Sequence, residues 1–353
     1  MTASPGDAGA DTLPEGLQLL TETFAFSGRA RPLLGFGHYA TVIDTGGPQA
    51  LALATDTIGT KALVAQAMGT YDTAGIDCVA MNANDIVCVG AEPIAMVDCM
   101  LVEEMEEAFL AEIAAGLREG ARRARISIPG GETARVPEML RGAVPGRAFD
   151  LGGTCAGLVE PDRVLTGAGV APGDALVGFA SSGIHSNGFT LARRTFREAG
   201  WELGRHVEEF GRTLGEELLE PTAMYVDLAM ALLRELDVRA LFHLTGGGFL
   251  NLRRLEAEAG FDIETLPPVP AIFTVIQNLA GLDDAIMYAE YNMGAGFCAV
   301  VPEAEAERAL ALGEACGIEG WRLGTATASA GREVTIRAGG IALRGGAEGF
   351  GTG

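Results

Sequence analysis

Positive charge is scarce in this sequence. Lysine and arginine together number 25, against 47 aspartate and glutamate residues, which gives a formal net charge of -22 over 353 residues. A surface of that sign repels a phosphate backbone, so the composition argues against a nucleic-acid-binding protein. An acidic excess is typical of a solvated surface that aids solubility. Any anionic ligand must therefore be held by a local arrangement of groups.

Lysine is almost missing from the chain. Lys61 is the one lysine, and every other basic side chain is an arginine. An ammonium is a compact charge on a flexible stem, whereas a guanidinium is a planar fork, so a site that keeps its lysine needs the compact group. We expect Lys61 to be exposed and to face a nucleotide phosphate. Its replacement by alanine would then have little effect on the melting temperature.

Long apolar runs, a secretory leader and closely paired cysteines are also absent. Charges such as Asp85, Glu92 and Asp174 interrupt the apolar stretches before they reach the length of a membrane span. The first basic residue is Arg29, so no positive segment precedes an apolar leader, and a cytoplasmic protein is expected. The cysteines show no CxxC spacing, which favours reduced thiols in the core. They are Cys78, Cys88, Cys99, Cys155, Cys298 and Cys316.

The length and the alternation of apolar segments indicate two α/β domains. A chain of this length exceeds what a single core usually holds. Runs of strand length alternate with segments of helical period, and a linker rich in proline, glycine and aspartate separates two such patterns. We place the boundary near residue 166, which gives domains 1–165 and 166–353. The second domain is expected to end in one strand and a frayed glycine-rich tail.

The expected elements are these. Strands cover 49–55 and 93–101, and helices cover about 62–90, about 104–124, a segment from about 187, and about 219–235.

The stretch "ALATDTIGTK" takes an apolar strand into a turn and a helix start. Asp56 follows the strand, Gly59 makes the turn, and Thr60 and Lys61 begin the helix. A helix start offers free N–H groups to an anion, a carboxylate can hold magnesium, and an ammonium can contact a phosphate oxygen. The alternative is an ordinary strand-to-helix turn in which Asp56 caps the helix.

Two further segments carry candidate ligands. Asn82, Asn84 and Asp85 interrupt an apolar helix, where polar groups are costly unless they are paired or bind something. Asp85 is therefore a candidate metal ligand, and the alternative is capping or a buried hydrogen bond between helices. In "IPGGETA", Gly131 precedes Glu132 at the expected end of a short strand, where the backbone could approach a ligand or simply turn.

Three of the four histidines lie in turns rich in glycine or serine. They are His38 in "GFGHY", His185 in "SSGIHSNG" and His243 in "FHLTGGGF", whereas His206 has the surroundings of a surface residue. Histidine in such a loop is available for proton transfer or for contact with a phosphate. The glycines after His243 open a helix, which favours anion binding, and packing of His243 beneath the preceding apolar residues is the equal alternative.

Eight motifs in order resemble one family. They are "TDTIGTK", "YDTAGIDCVAMNANDIVCVGAEP", "IPGGETA", "FDLGGTCAGLVE", "ASSGIHSNGFTL", "LLEPTAMY", "HLTGGGFLNLRRL" and "YNMGAGF". From about residue 35 to 325 the chain is similar to phosphoribosylformylglycinamidine cyclo-ligases, also called aminoimidazole ribonucleotide synthetases. The resemblance implies a two-domain ATP-binding synthetase fold of the α/β class. Strands of the N-terminal domain would join a β-barrel across a homodimer, and the C-terminal domain would be α/β.

The resemblance also implies an activity. ATP would phosphorylate the formyl oxygen of formylglycinamidine ribonucleotide, a nitrogen of the substrate would attack that carbon, and phosphate would leave, as a step of purine biosynthesis. The sequence has no GxSxG elbow and no cysteine in the histidine-bearing turns, so no covalent enzyme intermediate is expected. ATP, Mg²⁺ and the ribonucleotide are the expected ligands, with no nucleic acid or membrane partner.

Carried over by position, the resemblance assigns roles to individual residues. Asp56 and Asp85 would hold Mg²⁺, and His185, Lys61 and His243 would be catalytic. The remaining members of the site fall into two groups. Gly59, Thr60, Lys61, Asn82, Gly131 and Glu132 would join Asp56 at the nucleotide; Ser186, Asn187, Thr245 and Gly246 would contact the substrate.

The chain departs from the family pattern at a few positions, and related ATP-binding families offer competing functions. His38 and Tyr39 stand where the family has small residues, and Thr57 replaces a glycine. Selenophosphate synthetases would carry a reactive cysteine near the N-terminus, but the first here is Cys78, and a hydrogenase maturation protein would end in cysteine, but this sequence ends in "GTG". A thiamine monophosphate kinase and a catalytically silent nucleotide-binding scaffold also compete with the cyclo-ligase interpretation.

Overall fold

The computed structural model describes residues 15–352 as two α/β halves, each built on one main sheet. The first sheet lies within 31–159 and the second within 175–352, so the predicted boundary near residue 166 falls in the segment between them. Within the described range, no helix is both long enough and apolar enough to cross a membrane.

The first sheet has six strands in the order β1-β2-β3-β6-β4-β5. Its pairs are antiparallel except β4 with β5, which is parallel. The strands are β1 (Arg31–Pro32), β2 (Thr41–Asp44), β3 (Ala50–Thr57), β4 (Glu92–Val102), β5 (Ser127–Arg135) and β6 (Phe149–Val159).

Three helices accompany this sheet: α1 (Ala62–Met68), α2 (Asp72–Cys88) and α3 (Glu107–Ala124). Glycines let α2 and α3 approach closely, since a Cβ on Gly116 would lie 1.8 Å from the carbonyl oxygen of Asp72. Helix α2 is buried on nearly all sides. It contacts β3, β6 and α3 of its own half and β10 and α6 of the other, so its polar residues face protein in both directions.

The second sheet has eight strands in the order β10-β12-β7-β13-β11-β14-β15-β16, and β8 and β9 form a separate pair. The central strands β7 and β12 are buried along almost their whole length, as expected for strands covered on both faces. The strands are β7 (Ala175–Ala180), β8 (His206–Val207), β9 (Arg212–Thr213), β10 (Ala240–His243), β11 (Ala259–Ile263), β12 (Ala295–Val301), β13 (Gly320–Ala328), β14 (Val334–Ala338), β15 (Ile341–Gly346) and β16 (Gly349–Thr352).

The helices of the second half lie between these strands along the sequence. They are α4 (Phe189–Glu198), α5 (Leu214–Leu218), α6 (Val226–Glu235), α7 (Ala271–Ala280), α8 (Asp284–Glu290) and α9 (Ala306–Ala315). Short 3-10 segments cover Glu15–Ala25, Gly59–Lys61, Pro161–Arg163, Gly248–Arg253 and Glu303–Glu305.

The structure differs from the sequence-based expectations at several elements. The helix expected over 62–90 is interrupted at Gly69, which adopts φ +65°. The helix expected over 219–235 begins only at Val226, because the backbone of residues 222–225 is hydrogen-bonded to the side chains of Asp77 and Asn84 on α2. The glycine-rich C-terminal segment is not frayed up to Thr352, since it forms the paired strands β15 and β16.

The cysteines follow the core interpretation only in part. Cys78, Cys88, Cys155 and Cys298 are buried free thiols, whereas Cys99 and Cys316 are exposed.

Candidate functional site

The candidate site lies where helix α2 and the start of α1 meet the loops of the C-terminal half. Asp77, Asn82, Asn84 and Asp85 all lie on α2, and each is within hydrogen-bonding distance of another element. Two loops face them from the other half. These are residues 181–188, which follow β7, and residues 244–247, which follow β10.

Lys61 is enclosed in this boundary, with 2% of its surface exposed. Its Nζ lies 2.8 Å from Oδ2 of Asp77, which is fully buried. The ammonium also donates hydrogen bonds to the carbonyl oxygens of His185, at 3.0 Å, and Glu220, at 2.7 Å. The ring of Phe189 lies 5.6 Å from Nζ. An ammonium has three protons, and here each has an oxygen neighbour within the protein.

The expectation that Lys61 is exposed is therefore wrong. The neighbours of its ammonium in this structure are oxygen atoms of the protein. Burial lowers the pKa of Lys61, and the charge of Asp77 opposes that shift. Removing one member of a buried ion pair typically lowers the free energy of unfolding by about 3–5 kcal/mol, because the other charge is left without a partner. The expectation of an unchanged melting temperature for Lys61→Ala does not follow from such a site.

Asp56 ends the buried face of β3, and Asn82 fixes its backbone. The Asn82 side chain accepts the N–H of Asp56 at 2.9 Å and donates to its carbonyl at 3.2 Å, and it also donates to the carbonyl of Cys78. Asn82 is fully buried, and both ends of its amide are hydrogen-bonded to protein, to strand β3 and to its own helix. The structure thus makes Asn82 a support for Asp56 and leaves it no free group for a nucleotide.

The Asp56 carboxylate itself is only half-buried. Oδ1 accepts the N–H of Thr57 at 2.7 Å, and Oδ2 accepts no hydrogen bond from the described residues. Burial raises the pKa of Asp56, the Thr57 N–H lowers it, and the nearby charge of Asp85 raises it further. Asp85 lies one turn along α2 from Asn82, which holds the Asp56 backbone, so the two carboxylates are near each other at the same part of α2.

Asp85 and His243 form a pair across the boundary. Oδ1 of Asp85 accepts a hydrogen bond from Nδ1 of His243 at 2.9 Å. With its proton on Nδ1, the imidazole can accept at Nε2, where Nδ2 of Asn84 lies 3.4 Å away. Asn84 also donates to Ala223 and accepts the N–H of Tyr225. His243 is fully buried, so the packing alternative holds for its ring, while 15% of the Asp85 side chain reaches solvent.

The two carboxylates fit the donor set that Mg²⁺ uses. No cluster of three or more His, Cys, Asp or Glu side chains around one point occurs among residues 15–352. Mg²⁺ in phosphate-transfer sites is commonly bound by one or two carboxylates, with phosphate oxygens and water completing the shell. Asp56 and Asp85 supply such a pair; the pKa of Asp56 is raised chiefly by burial, with a smaller contribution from the charge of Asp85.

His185 occupies an unusual position in the loop after β7. Its backbone has φ +67°, a conformation that costs a residue other than glycine about 1–3 kcal/mol and persists only where the surroundings fix it. The imidazole is 1% exposed, and Nε2 accepts the N–H of Ser182 at 3.3 Å. The neutral ring therefore carries its proton on Nδ1, which has no partner in the described part of the chain. Burial holds the pKa of His185 well below its usual range, so the ring is neutral at pH 7.

The other predicted substrate residues lie in the loop of His185 or in the loop after β10. Ser186 shares a hydrogen bond with the hydroxyl of Thr222 at 3.0 Å. Oδ1 of Asn187 lies beside Gly246, 3.1 Å from where a Cβ would stand, and its Nδ2 is enclosed without a partner among the described residues. Asn251 fixes the backbone of Thr245 and Gly246 by donating hydrogen bonds to both carbonyl oxygens. The rings of His185 and His243 lie 6.3 Å apart.

Gly131 and Glu132 are not brought to this group. The strand expected to end before them continues to Arg135, and Glu132 is exposed on the edge strand β5. Strands β6 and β4 separate β5 from β3, which puts the two about 14 Å apart at the usual strand spacing. Gly131 has a packing reason instead, since a Cβ there would lie 2.1 Å from Oδ1 of Asp98.

Gly59 and Thr60 form the turn that leads to Lys61. Gly59 has φ +57° and is exposed, and the Thr60 hydroxyl lies 3.3 Å from that of Thr190 on α4. The helix start expected to bind an anion is a single 3-10 turn followed by α1, which is only seven residues long. The glycines after His243 likewise open only the short 3-10 segment Gly248–Arg253.

The loop before β2 packs against the C-terminal half. The Arg254 guanidinium lies 4.9 Å from the centre of the Tyr39 ring, and Nε2 of His38 lies 3.9 Å from a carboxylate oxygen of Glu256. Burial lowers the pKa of His38, and Glu256 opposes that shift. The Tyr39 hydroxyl is enclosed without a hydrogen-bond partner in the described residues. His38 and Tyr39 therefore contact the other half of the molecule instead of leaving an open loop.

Sequence reasoning missed three aspartates. Asp77 is the partner of Lys61, and Asp98 and Asp150 line a cavity of about 200 Å³ together with Asp56 at one end of the first sheet. Burial raises the pKa of Asp98. The available signal was the same in all three: a carboxylate inside an otherwise apolar helix or strand.

Family models match most of the chain. Residues 37–159 match the AIR synthase related protein N-terminal domain, and residues 171–337 match the corresponding C-terminal domain. The phosphoribosylformylglycinamidine cyclo-ligase of Thermococcus kodakarensis is 49% identical over 80% of each chain. That of Thermococcus gammatolerans is 47% identical over 83% of this chain and 85% of the relative.

A solved structure gives the same fold at lower identity. The hydrogenase maturation protein HypE in complex with ATP superimposes with a TM-score of 0.56 and 23% identity, covering 84% of this chain and 83% of that one. At that identity the likeness extends to the fold alone.

Proposed function

Because the chain belongs to the AIR synthase related protein family, we propose that it catalyses the ATP-dependent cyclisation of formylglycinamidine ribonucleotide to aminoimidazole ribonucleotide, with release of ADP and phosphate, in purine biosynthesis. The reaction is that of the cyclo-ligases to which the chain is 47–49% identical. The structural observation that carries the proposal is that the His185 ring lies 6.3 Å from the ring of His243, which is hydrogen-bonded to Asp85 of the other half.

His185 is suited to act on the formyl oxygen. Its Nδ1–H is an enclosed donor without a partner among the described residues, and the ring is neutral because burial lowers its pKa. A neutral imidazole that donates to a carbonyl oxygen polarises the bond and stabilises negative charge that develops on that oxygen. Both effects favour attack of the substrate nitrogen at the carbon and the departure of the oxygen with the phosphate. The attacking nitrogen belongs to the substrate, so the protein supplies position and proton transfer.

Asp56 and Asp85 are proposed to hold Mg²⁺ on the other wall of the site. The ion would neutralise the charge of the ATP phosphates during transfer. Asn82 fixes the backbone of Asp56 and His243 fixes Asp85, so both carboxylates are oriented before any ligand arrives. Asn187, Thr245 and Gly246 line the adjoining loops and are proposed to contact the ribonucleotide.

We also propose that the chain acts as a homodimer in the cytoplasm, where ATP is available. The outer face of the first sheet exposes apolar side chains, among them Ile94 at 42% and Val97 at 47%. An exposed apolar sheet face next to an open edge strand is typical of an association surface. Closure of that face by a second copy would also enclose the cavity at Asp98 and Asp150. The test is the mass in solution, which should be twice that of the chain.

The assay that tests the activity is ADP release with and without formylglycinamidine ribonucleotide. We expect release to depend on the ribonucleotide and to equal the aminoimidazole ribonucleotide formed. Thiamine monophosphate and selenide serve as comparison substrates and should not stimulate release. ATP binding without stimulation by any of them would favour the silent scaffold instead.

A further inference from the structure

The buried ammonium of Lys61 joins two halves of the protein at one point. Lys61 and Asp77 belong to the N-terminal half, and the two carbonyls that accept from the ammonium, those of His185 and Glu220, belong to the C-terminal half. One of these carbonyls is that of the residue proposed to act on the formyl oxygen. Lys61 therefore contacts the backbone of His185 directly while remaining outside the solvent-facing part of the site.

The backbone of His185 needs such a contact. Its φ of +67° lies in the left-handed region, and Gly183 and Gly188 in the same loop also have positive φ, at +142° and +76°. The loop thus has little intrinsic preference for the conformation it adopts, and a side chain other than glycine persists there only when its neighbours determine it. The ammonium bond to the His185 carbonyl fixes the peptide unit that follows the residue.

Asp77 closes a second connection to the same loop. Its Oδ1 accepts both the N–H and the hydroxyl of Thr222, each at 2.7 Å. The Thr222 hydroxyl is 3.0 Å from that of Ser186, the residue after His185. The ion pair therefore contacts the loop at two successive residues, one through Lys61 and one through Asp77 and Thr222.

The contact also explains why this basic residue is a lysine. The three oxygen neighbours of Nζ come from three separate segments and all lie within 3.0 Å of one atom. A tetrahedral ammonium with three rotatable donors matches that arrangement, whereas a planar guanidinium spreads its donors over a larger fork.

We propose that Lys61 is a positioning residue, which holds the His185 carbonyl through its ammonium and so sets the direction of the imidazole in the site. The proposal rests on the proposed function only for the consequence in turnover. The positioning itself is a statement about the state of one imidazole, and it can be measured without substrate.

The direct measurement is heteronuclear NMR of the protein with nitrogen-labelled histidine. Four histidines are few enough for His185 to be assigned through the loss of its signal in His185→Ala. We expect a neutral ring protonated on Nδ1 in the unmodified protein, and a shifted or broadened His185 signal in Lys61→Met. A signal unchanged by Lys61→Met would overturn the proposal.

Two further variants keep this test decisive if Lys61→Met folds poorly. Lys61→Met/Asp77→Asn removes both charges together and keeps an oxygen for Thr222, so no buried charge is left alone. Ile113→Ala lowers stability by removing buried apolar volume from α3, a helix that carries none of the site residues. We expect the paired variant to shift the His185 signal and Ile113→Ala to leave it unchanged. A shift in Ile113→Ala equal to that in the paired variant would show general loosening and contradict the proposal.

Turnover gives the second test. The paired variant should lower kcat by about 100-fold, the scale of a misplaced proton-transfer group, with the KM for ATP changed less than about 3-fold. In a His185→Ala background the same pair of substitutions should change kcat by less than about 3-fold, because Lys61 acts through His185. Equal losses in both backgrounds, with a raised KM for ATP, would instead indicate direct contact with the phosphates.

The two proposals can fail separately. If the unmodified protein does not convert formylglycinamidine ribonucleotide, the proposed function is wrong, and the NMR comparison still decides whether Lys61 positions His185.

Discussion

Two buried or partly buried pairs, Lys61 with Asp77 and His243 with Asp85, lie at the boundary between the halves, and they differ in what they leave free. Lys61 and Asp77 are 2% and 0% exposed, and each proton of the ammonium has an oxygen neighbour. In the second pair, His243 is fully buried, but 15% of Asp85 is exposed beside the half-buried carboxylate of Asp56. The first pair is saturated, whereas the second has a carboxylate that can still take a ligand. Burial of a charge therefore does not by itself identify a ligand site; a carboxylate oxygen that no protein group occupies does.

The largest expected effect is a difference in the free energy of unfolding between a variant of the Lys61–Asp77 pair and a variant of the His243–Asp85 pair. Lys61→Met should lower the free energy of unfolding by about 3–5 kcal/mol, since it leaves Asp77 buried without its counter-charge. Asp85→Asn should cost much less, because the amide oxygen still accepts from His243. Urea denaturation followed by circular dichroism measures both. Equal losses in the two variants would remove the distinction.

The second prediction concerns the available carboxylates of Asp56 and Asp85. Asp56→Asn and Asp85→Asn should each raise the Mg²⁺ concentration for half-maximal ADP release by about 10-fold or more, because each removes an anionic ligand. Glu112→Gln, on the exposed face of α3, makes the same charge change away from the site and should leave the titration unchanged. Unaltered Mg²⁺ dependence in both aspartate variants would make these carboxylates structural.

The third prediction uses His185, which lies between the pairs. Its pKa in the folded protein is held well below 6.5 by burial, so below about pH 6.5 the unfolded chain binds a proton that the folded chain does not. Stability should therefore be lost as the pH falls from about 6.5 towards the lowered pKa, by up to about 1.4 kcal/mol per pH unit. The difference in unfolding free energy between the unmodified protein and His185→Asn isolates this slope. No difference in slope between them would mean that the imidazole titrates normally.

The smallest effect is expected for an exposed pair. Arg322 and Glu303 lie 2.8 Å apart at the surface, with side chains 35% and 54% exposed. Solvent screens such a pair, so Arg322→Met should change the free energy of unfolding by no more than about 1 kcal/mol. The same urea titration provides the comparison with Lys61→Met. A loss as large as that of Lys61→Met would show that distance rather than burial sets the effect.

Much of the fold was readable from local sequence. The apolar runs at 49–55 and 93–101 became β3 and β4, and the segment at 104–124 became α3, because periodicity reports which face an element buries. The motif order also identified the family. The predicted start of α6 was wrong because a helical pattern over 219–235 cannot show that the backbone of residues 222–225 is bonded to Asp77 and Asn84 of α2.

The site was predicted less completely, because it depends on which strands are neighbours in the sheet and on which side chains pack together from distant parts of the chain. Lys61 was singled out by composition, but nothing local shows that Asp77 comes to 2.8 Å of it, since that contact depends on how α1 and α2 pack. Glu132 was grouped with Asp56 because the family resemblance assigned both residues to the nucleotide. Only the sheet order, which places β6 and β4 between their strands, separates them.

The single lysine has a practical consequence. Its ammonium is the one side-chain amine of the chain, and it is covered where the two halves meet. An amine-reactive reagent can therefore modify a side chain only during moments when the halves part, apart from its reaction with the terminal amino group. The rate of that modification, followed by mass spectrometry, reports how often the halves open. Ligands that hold the halves together should slow it without any engineered probe.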